Sequence, residues 1–182
     1  MSFLAAQTPV SMPLRKETPR LVLRQFAHAD WAAMHAHYSD LESTRFTFRR
    51  ALTEGESWRA MASMVEHWTL HGYGPYALQD KVSGQVMGTA GLWYPNDWPE
   101  PEIKWALTKA YWGKGYAKEA ALTVQAAALK NLPHLRLISQ IHADNTASIQ
   151  LALSVGCTLE KEVEFRGAKH LIYRHPQAGK PE

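Results

Sequence analysis

The 182 residues contain one cysteine, Cys157. A lone thiol excludes an intramolecular disulfide and a cysteine-based zinc site, and it fits a reducing compartment. No stretch approaches the roughly 20 consecutive apolar residues that a membrane span requires. The segment from Met1 to Gln7 is too short for a secretory core and has no positive residue ahead of it. The expected location is cytoplasmic, with no membrane partner. Charge of one sign is also lacking. Twenty Lys and Arg against 17 Asp and Glu give +3, too small an excess to imply nucleic acid. Internal repeats are absent. No Gly-Lys-Ser/Thr ending closes a phosphate loop, and no acid stands at dinucleotide spacing in a parallel unit, which disfavours nucleoside triphosphates.

The chain has ordinary globular content, 46% hydrophobic and 20% charged, and a length suited to one core. Residues 1–17 carry Pro9 and Pro13 without periodicity and read as a flexible arm. A single domain is expected over 18–176, with a short tail at 177–182. Alternation over Arg20–Arg24 predicts a strand. A helix follows, capped near His28 to Asp30, with Trp31, Met34 and Tyr38 on one face. Residues 40–52 form a connection. The spacing of Trp58, Met61, Met64, Val65 and Trp68 predicts a second helix over Glu54–Leu70, stopped by Gly72 and Gly74. Strands are predicted at Pro75–Asp80, Val86–Tyr94 and Ile103–Leu107. Gly115–Leu129 then forms a helix with a narrow small-residue face of Ala117, Ala120, Ala121, Val124 and Ala128. A strand at Leu135–His142, a helix at Thr146–Val155, and an antiparallel pair at Cys157–Glu164 and Ala168–His175 complete the order βααβββαβαββ. The simplest layer solution is a mixed α/β fold, one central sheet with helices on both faces.

Chemistry concentrates at Trp112-Gly113-Lys114-Gly115-Tyr116-Ala117, where a strand passes into a helix. The first amides of a helix lack intrahelical partners and carry partial positive charge, so a diphosphate suits that position. Gly113 and Gly115 allow close approach of an anion to the backbone, Ala117 adds little bulk, and Lys114 adds a positive charge. The same residues equally describe a glycine-capped turn with no ligand.

Glu102 to Leu107, Trp112 to Ala120 and Asp144 to Ser148 with Val155-Gly156 resemble successive motifs of the GNAT N-acetyltransferases. The nearest branch is the RimJ/RimL-like one, and the resemblance runs from Thr18 to Pro176. It implies a mostly antiparallel, splayed sheet. It also implies acetyl-coenzyme A as co-substrate, its diphosphate on the amides of Trp112, Gly113, Lys114, Gly115, Tyr116 and Ala117 and its pantetheine arm along Trp105, Ala106 and Leu107. Asn145 and Ser148 match positions near the pantetheine, although Asn145 equally reads as a helix cap. The family pattern is Gln or Arg, two residues, Gly, any residue, then Gly or Ala. Trp112 departs from it at the first place.

Transfer of an acetyl group to an amine needs a base for the amine proton and a proton for the departing thiolate. Glu102 matches a glutamate that serves as base in relatives; a solvated strand-end residue is the alternative, and Glu100 is a weaker substitute. The tyrosine that acts as acid in many relatives is replaced by Ala152, which leaves Ser148 as a donor, directly or through water, or a thiolate that departs without help, and Tyr173 as a core residue. No metal is implied. His67 and His71 read as a surface pair, Cys157 as a packing cysteine. Phe46, Trp68, Tyr73, Trp93 and Trp98 are candidate walls of an acceptor site. The acceptor is an amine, of a peptide N-terminus or a small molecule, and the chain acts as a monomer or homodimer. Two readings stay open: an N-acetyltransferase, and a catalytically silent module that binds acyl-coenzyme A.

Overall fold

Helix ends in this chain follow from particular side chains. Thr53 Oγ1 accepts a hydrogen bond from the Glu56 amide while the Glu56 carboxylate accepts from the Thr53 amide. This reciprocal cap starts a helix that ends where Gly72 turns left-handed, at φ 73°. The computed structural model describes Pro9 and residues 11–177. Its helices are α1 (Trp31–Ser39), α2 (Leu41–Thr44), α3 (Glu54–His71), α4 (Tyr116–Asn131) and α5 (Thr146–Ser154). Its strands are β1 (Arg15–Glu17), β2 (Leu21–Arg24), β3 (Pro75–Asp80), β4 (Val86–Trp93), β5 (Glu102–Leu107), β6 (Ile138–His142), β7 (Thr158–Phe165) and β8 (Ala168–Arg174).

The eight strands form one sheet in the order β1-β2-β3-β4-β5-β6-β8-β7. Every neighbouring pair is antiparallel except β5 and β6. Two expectations about local structure need correction. The arm read as loose to residue 17 contributes β1, paired to β2, and Met12 is buried ahead of it. A three-residue edge strand held by one neighbour leaves no periodicity to detect. Within the connection at 40–52, Asp40 accepts from the Glu42 and Ser43 amides and starts the one-turn helix α2. The tail at 177–182 lies, apart from Gln177, outside the described residues.

Helices cover both faces. Met61 and Met64 of α3 pack with Met34 and Tyr38 of α1 over Ala77. Trp58 and Val65, expected on that apolar face, are exposed; each stands one residue off the buried Ser57–Met61–Met64–Trp68 line. On the other face the small residues Ala120, Val124 and Ala128 bring α4 close to Ala90, Leu92 and Ile103 of β4 and β5. Alternation along β5 divides its side chains between these layers. Glu102 and Lys104 stand opposite Trp93 and Gly91 and face α1 and α3; Ile103, Trp105 and Leu107 face α4 and α5.

The seam between β5 and β6 positions the site. These strands share one register pair, Glu102 with Ile138, where the Ile138 amide donates to the Pro101 carbonyl at 3.0 Å. Beyond it the backbones part and side chains span the gap. Ser139 Oγ donates to the Ile103 carbonyl at 2.6 Å, and the Gln140 amide donates to the Glu102 carboxylate at 3.1 Å. β6 instead pairs along its length with β8.

Candidate active site

Glu102 is a carboxyl buried at the point where the sheet opens, 6% exposed. Burial penalises its charged form and raises its pKa to about 7, opposed by the Gln140 amide and by the positive charge of Lys104. The Trp98 indole lies near the same carboxyl, but its N–H makes no full hydrogen bond. Lys104, two residues along the same face, has its pKa lowered by desolvation, with Glu102 opposing. Its ammonium lies 4.8 Å from the centre of the Trp93 ring. The pair borders a cleft of about 640 Å³, lined also by Phe46, Trp98, Gln140, Asn145 and Ser148.

The gap leaves backbone groups unpaired. The carbonyls of Pro101 and Ile103 point at β6, so by strand alternation Trp105 and Leu107 present their N–H and C=O the same way, past the last β6 pairing. Ala106 turns its backbone to β4, against Gly88. The Leu107 carbonyl accepts the Trp112 indole N–H at 2.6 Å. Trp105 therefore offers both backbone groups to an extended ligand. Its indole donates to Ser148 Oγ at 3.2 Å, and the Ser148 proton has no acceptor among the described residues.

A buried relay holds the parting strands. Gln125 Nε2 donates to the Val155 carbonyl at 3.2 Å and lies 3.0 Å from His175 Nδ1; His175 Nε2 lies 2.9 Å from Ser139 Oγ. Val155 fixes the amide as a donor, so Nδ1 accepts, Nε2 carries the proton, and Ser139 passes its own proton to the Ile103 carbonyl. The imidazole is neutral, its pKa lowered by burial to about 4.

At the far end of β5, Gly113 (φ 72°) and Gly115 (φ 78°) are both left-handed, a conformation that favours glycine. α4 begins at Gly115 with no side-chain cap. The amides from Gly113 to Lys118 have no acceptor among the described residues. A Cβ at Gly113 would meet nothing within 4 Å, so the amides are open to an incoming group. Arg20 braces the turn: Nη1 donates to the Lys114 carbonyl at 2.8 Å, Nε to Glu119 at 2.6 Å, and the guanidinium covers the Tyr116 ring at 4.3 Å. Lys114 folds back to the Ala110 carbonyl. Asn145 Oδ1 caps α5 through the Ser148 amide, leaving its NH₂ group unused.

The structure thus gathers Glu102, Trp105, Ala106, Asn145 and Ser148 around one cleft, while Trp112 to Ala117 form a separate cradle outside its lining. Of the aromatic candidates, Phe46, Trp93 and Trp98 line the cleft; Trp68 and Tyr73 are buried in the core. The surface reading of His67 is corrected: it is 4% exposed, stacked on Trp93, with Nδ1 donating to the Tyr73 carbonyl and Nε2 accepting from the Tyr94 amide. Cys157 is buried and its thiol pushed up to about 12. Ala152 and Tyr173 pack beside it. Residues that sequence reasoning missed are His37, Arg49, Arg59 and Arg166, which come to the cleft from helices and loops far apart in the chain. Among the described residues no group of three or more His, Cys, Asp and Glu is placed to hold a metal ion, and no helix is long and apolar enough to cross a membrane.

The chain is similar to known acetyltransferases. It is 28% identical over 140 residues to N-acetyltransferase p20 of Bacillus licheniformis, an uncharacterised protein, covering 76% of this chain and 79% of that one. An acetyltransferase structure from Agrobacterium tumefaciens superposes with a TM-score of 0.80 at 28% identity, over 92% of this chain and 96% of that one. The ribosomal-protein-S5-alanine acetyltransferase of Vibrio fischeri shares the fold at 17% identity and a TM-score of 0.74, over 93% and 100% of the two chains. A family model for the acetyltransferase (GNAT) domain matches residues 20–158. With its parted strands and its uncapped glycine turn, this chain belongs to the GNAT family and is an acetyltransferase.

Proposed function

We propose that this protein transfers the acetyl group of acetyl-coenzyme A to a primary amine, of a protein N-terminus or a small molecule. The reading places this activity in the cytoplasm, within a single domain spanning 18–176, and assigns the chain to the RimJ/RimL-like branch. The observation that carries it is the buried Glu102 carboxyl at the mouth of the β5–β6 gap, beside the unpaired backbone of Trp105. When bound, coenzyme A supplies the acetyl group as a thioester. The open amides of Gly113 to Ala117 suit its diphosphate, and the Trp105 N–H and C=O suit the amides of its pantetheine arm. Asn145 has an NH₂ group left for the same arm.

Glu102 acts as the general base. With a pKa near 7 a substantial fraction is ionised at neutral pH, and the ionised carboxylate in a dry site takes an amine proton effectively. Ser148 holds a proton for the departing thiolate, because its oxygen is occupied by the Trp105 indole while its hydrogen is uncommitted. A silent acyl-coenzyme A binding module is the second reading. It is favoured by Ala152 in place of the family's tyrosine and by the engagement of the Trp112 indole with Leu107.

The test is thiol release from acetyl-coenzyme A with a panel of peptides, amino acids and polyamines, alongside measured coenzyme A affinity. Release together with an acetylated product is expected. Gly115→Asp should abolish coenzyme A binding by placing bulk and negative charge against the diphosphate. Tight binding with no release on any amine would favour the silent module, and unchanged affinity in Gly115→Asp would remove the cradle.

A further inference from the structure

The cleft beside Glu102 has an excess of positive charge that the diphosphate cradle does not account for, because residues 107–117 lie outside its lining. Two carboxylates line it, Glu56 and Glu102, against Arg49, Arg50, Arg59, Lys104 and Arg166. Glu56 is taken by Arg50 at 2.6 Å, and Arg166 is taken by Asp97 at 2.6 Å. Arg49 and Arg59 meet no carboxylate among the described residues, and Arg49 donates only to the Arg166 carbonyl at 2.7 Å.

Deeper in, the polar groups are built but unpartnered. Lys104 Nζ contacts the Trp93 ring and has no hydrogen-bond acceptor among the described residues. His37 is 2% exposed, lines the same cleft, lies near enough to feel the Lys104 charge, and its Nδ1 has no partner. Gln140 Oε1, next to Glu102 through its own amide, is likewise without a partner. Buried polar atoms are rarely left so, and each of these can pair with a polar group that enters the cleft. A lysine ammonium and an imidazole can hold an anion; a carboxylate and an amide oxygen can receive an amine. Glu102 and Lys104 are two residues apart on one strand face, about 7 Å between backbones. A molecule that meets both side chains carries its amine and its anionic group only a few bonds apart.

Resting on the acetyltransferase reading above, we infer that the acceptor is a small amine carrying a carboxylate close to its amino group. The amine sits between Glu102 and Gln140 Oε1, and the carboxylate between Lys104 and His37, with Arg59 and Arg49 drawing the anion to the mouth. Polyamines and aminoglycosides are disfavoured by the same charges.

The experiment compares matched pairs, α- and β-amino acids against their amides, with spermidine added. It reads thiol release and, separately, binding by quenching of tryptophan fluorescence in the presence of coenzyme A, since Trp93 and Trp98 line the cleft. A carboxylate held by charged donors should favour the acid over its amide roughly tenfold to a hundredfold in kcat/KM. Lys104→Met should bring that ratio near one, Lys104→Arg should restore part of it, and Arg59→Gln should raise KM without changing kcat. Preference for the acid in binding with no thiol release would support the anion subsite while failing the acetyltransferase reading. Acetylation of amides or spermidine as readily as of acids would overturn the inference and leave that reading standing. Absence of binding by every acid at millimolar concentration, or an unchanged ratio in Lys104→Met, would also overturn it.

Discussion

Glu102 holds two roles that oppose each other. It closes the sheet at the last β5–β6 pair by accepting the Gln140 amide, and it stands in a site dry enough to raise its pKa to about 7. A group whose folded pKa lies above its unfolded value favours the fold fully at low pH, and that contribution is lost as pH rises through the folded value. For Glu102 the window runs from 4.5 to about 7. Glu102→Gln keeps an acceptor for the Gln140 amide and removes the ionisation. It should therefore melt higher than the native chain at pH 8 and no higher at pH 4.5, as thermal unfolding at the two pH values would show. An equal difference at both would mean that the charge is not what destabilises the site. Glu102 was legible in the sequence because it begins a strand whose motif context matches a family. Lys104 is not legible there, since one lysine in a strand looks like any solvated residue until Trp93 covers it.

At the scale of elements, the glycine turn and the small-residue face of α4 were readable because each is local: backbone freedom at Gly113 and Gly115, and periodicity from Ala117 to Ala128. β1 was not, because its three residues are ordered by pairing with β2 rather than by any pattern of their own. The cleft was legible only in part for the same reason. Phe46, Trp93 and Trp98 are visible as aromatic candidates for the acceptor wall, whereas Arg49, Arg59 and Arg166 converge through tertiary packing that no spacing encodes. The brace on the turn belongs to this class too. Arg20, the residue before β2, reaches the Lys114 carbonyl, Glu119 and the Tyr116 ring. Arg20→Ala should loosen the first turn of α4 and weaken coenzyme A binding roughly tenfold, the value of one charge-assisted hydrogen bond. The pair with Glu119 is partly solvated, so the melting temperature should move little. Titration calorimetry with coenzyme A checks this, and an unchanged dissociation constant would show that the turn holds its shape without Arg20.

Across the whole molecule, the buried histidines set the response to acid. His37, His67 and His175 each have a pKa lowered to about 4, chiefly by desolvation. A base with a depressed folded pKa contributes stability above its unfolded value of 6.5 that is lost as pH falls through about 4. Glu102 works in the other direction over an overlapping window, but it is one group against three. The chain should lose stability steadily between pH 6.5 and 4, followed by melting temperature, and His175→Gln should flatten part of that fall by removing the charge that would face Gln125. A melting temperature that held level to pH 4 would contradict the neutral relay from Gln125 to Ser139. The same sheet that buries these groups also parts at β5 and β6, so fold stability and site geometry share the Ser139 and Glu102 contacts. The proposed transfer depends on Glu102 removing the amine proton. Its most direct test is the pH dependence of thiol release by the native chain and by Glu102→Gln, with coenzyme A affinity measured in parallel. The native rate should rise with pH through a midpoint near 7, while the variant binds coenzyme A equally and shows a low rate without that limb. An identical rising profile in both proteins would contradict it.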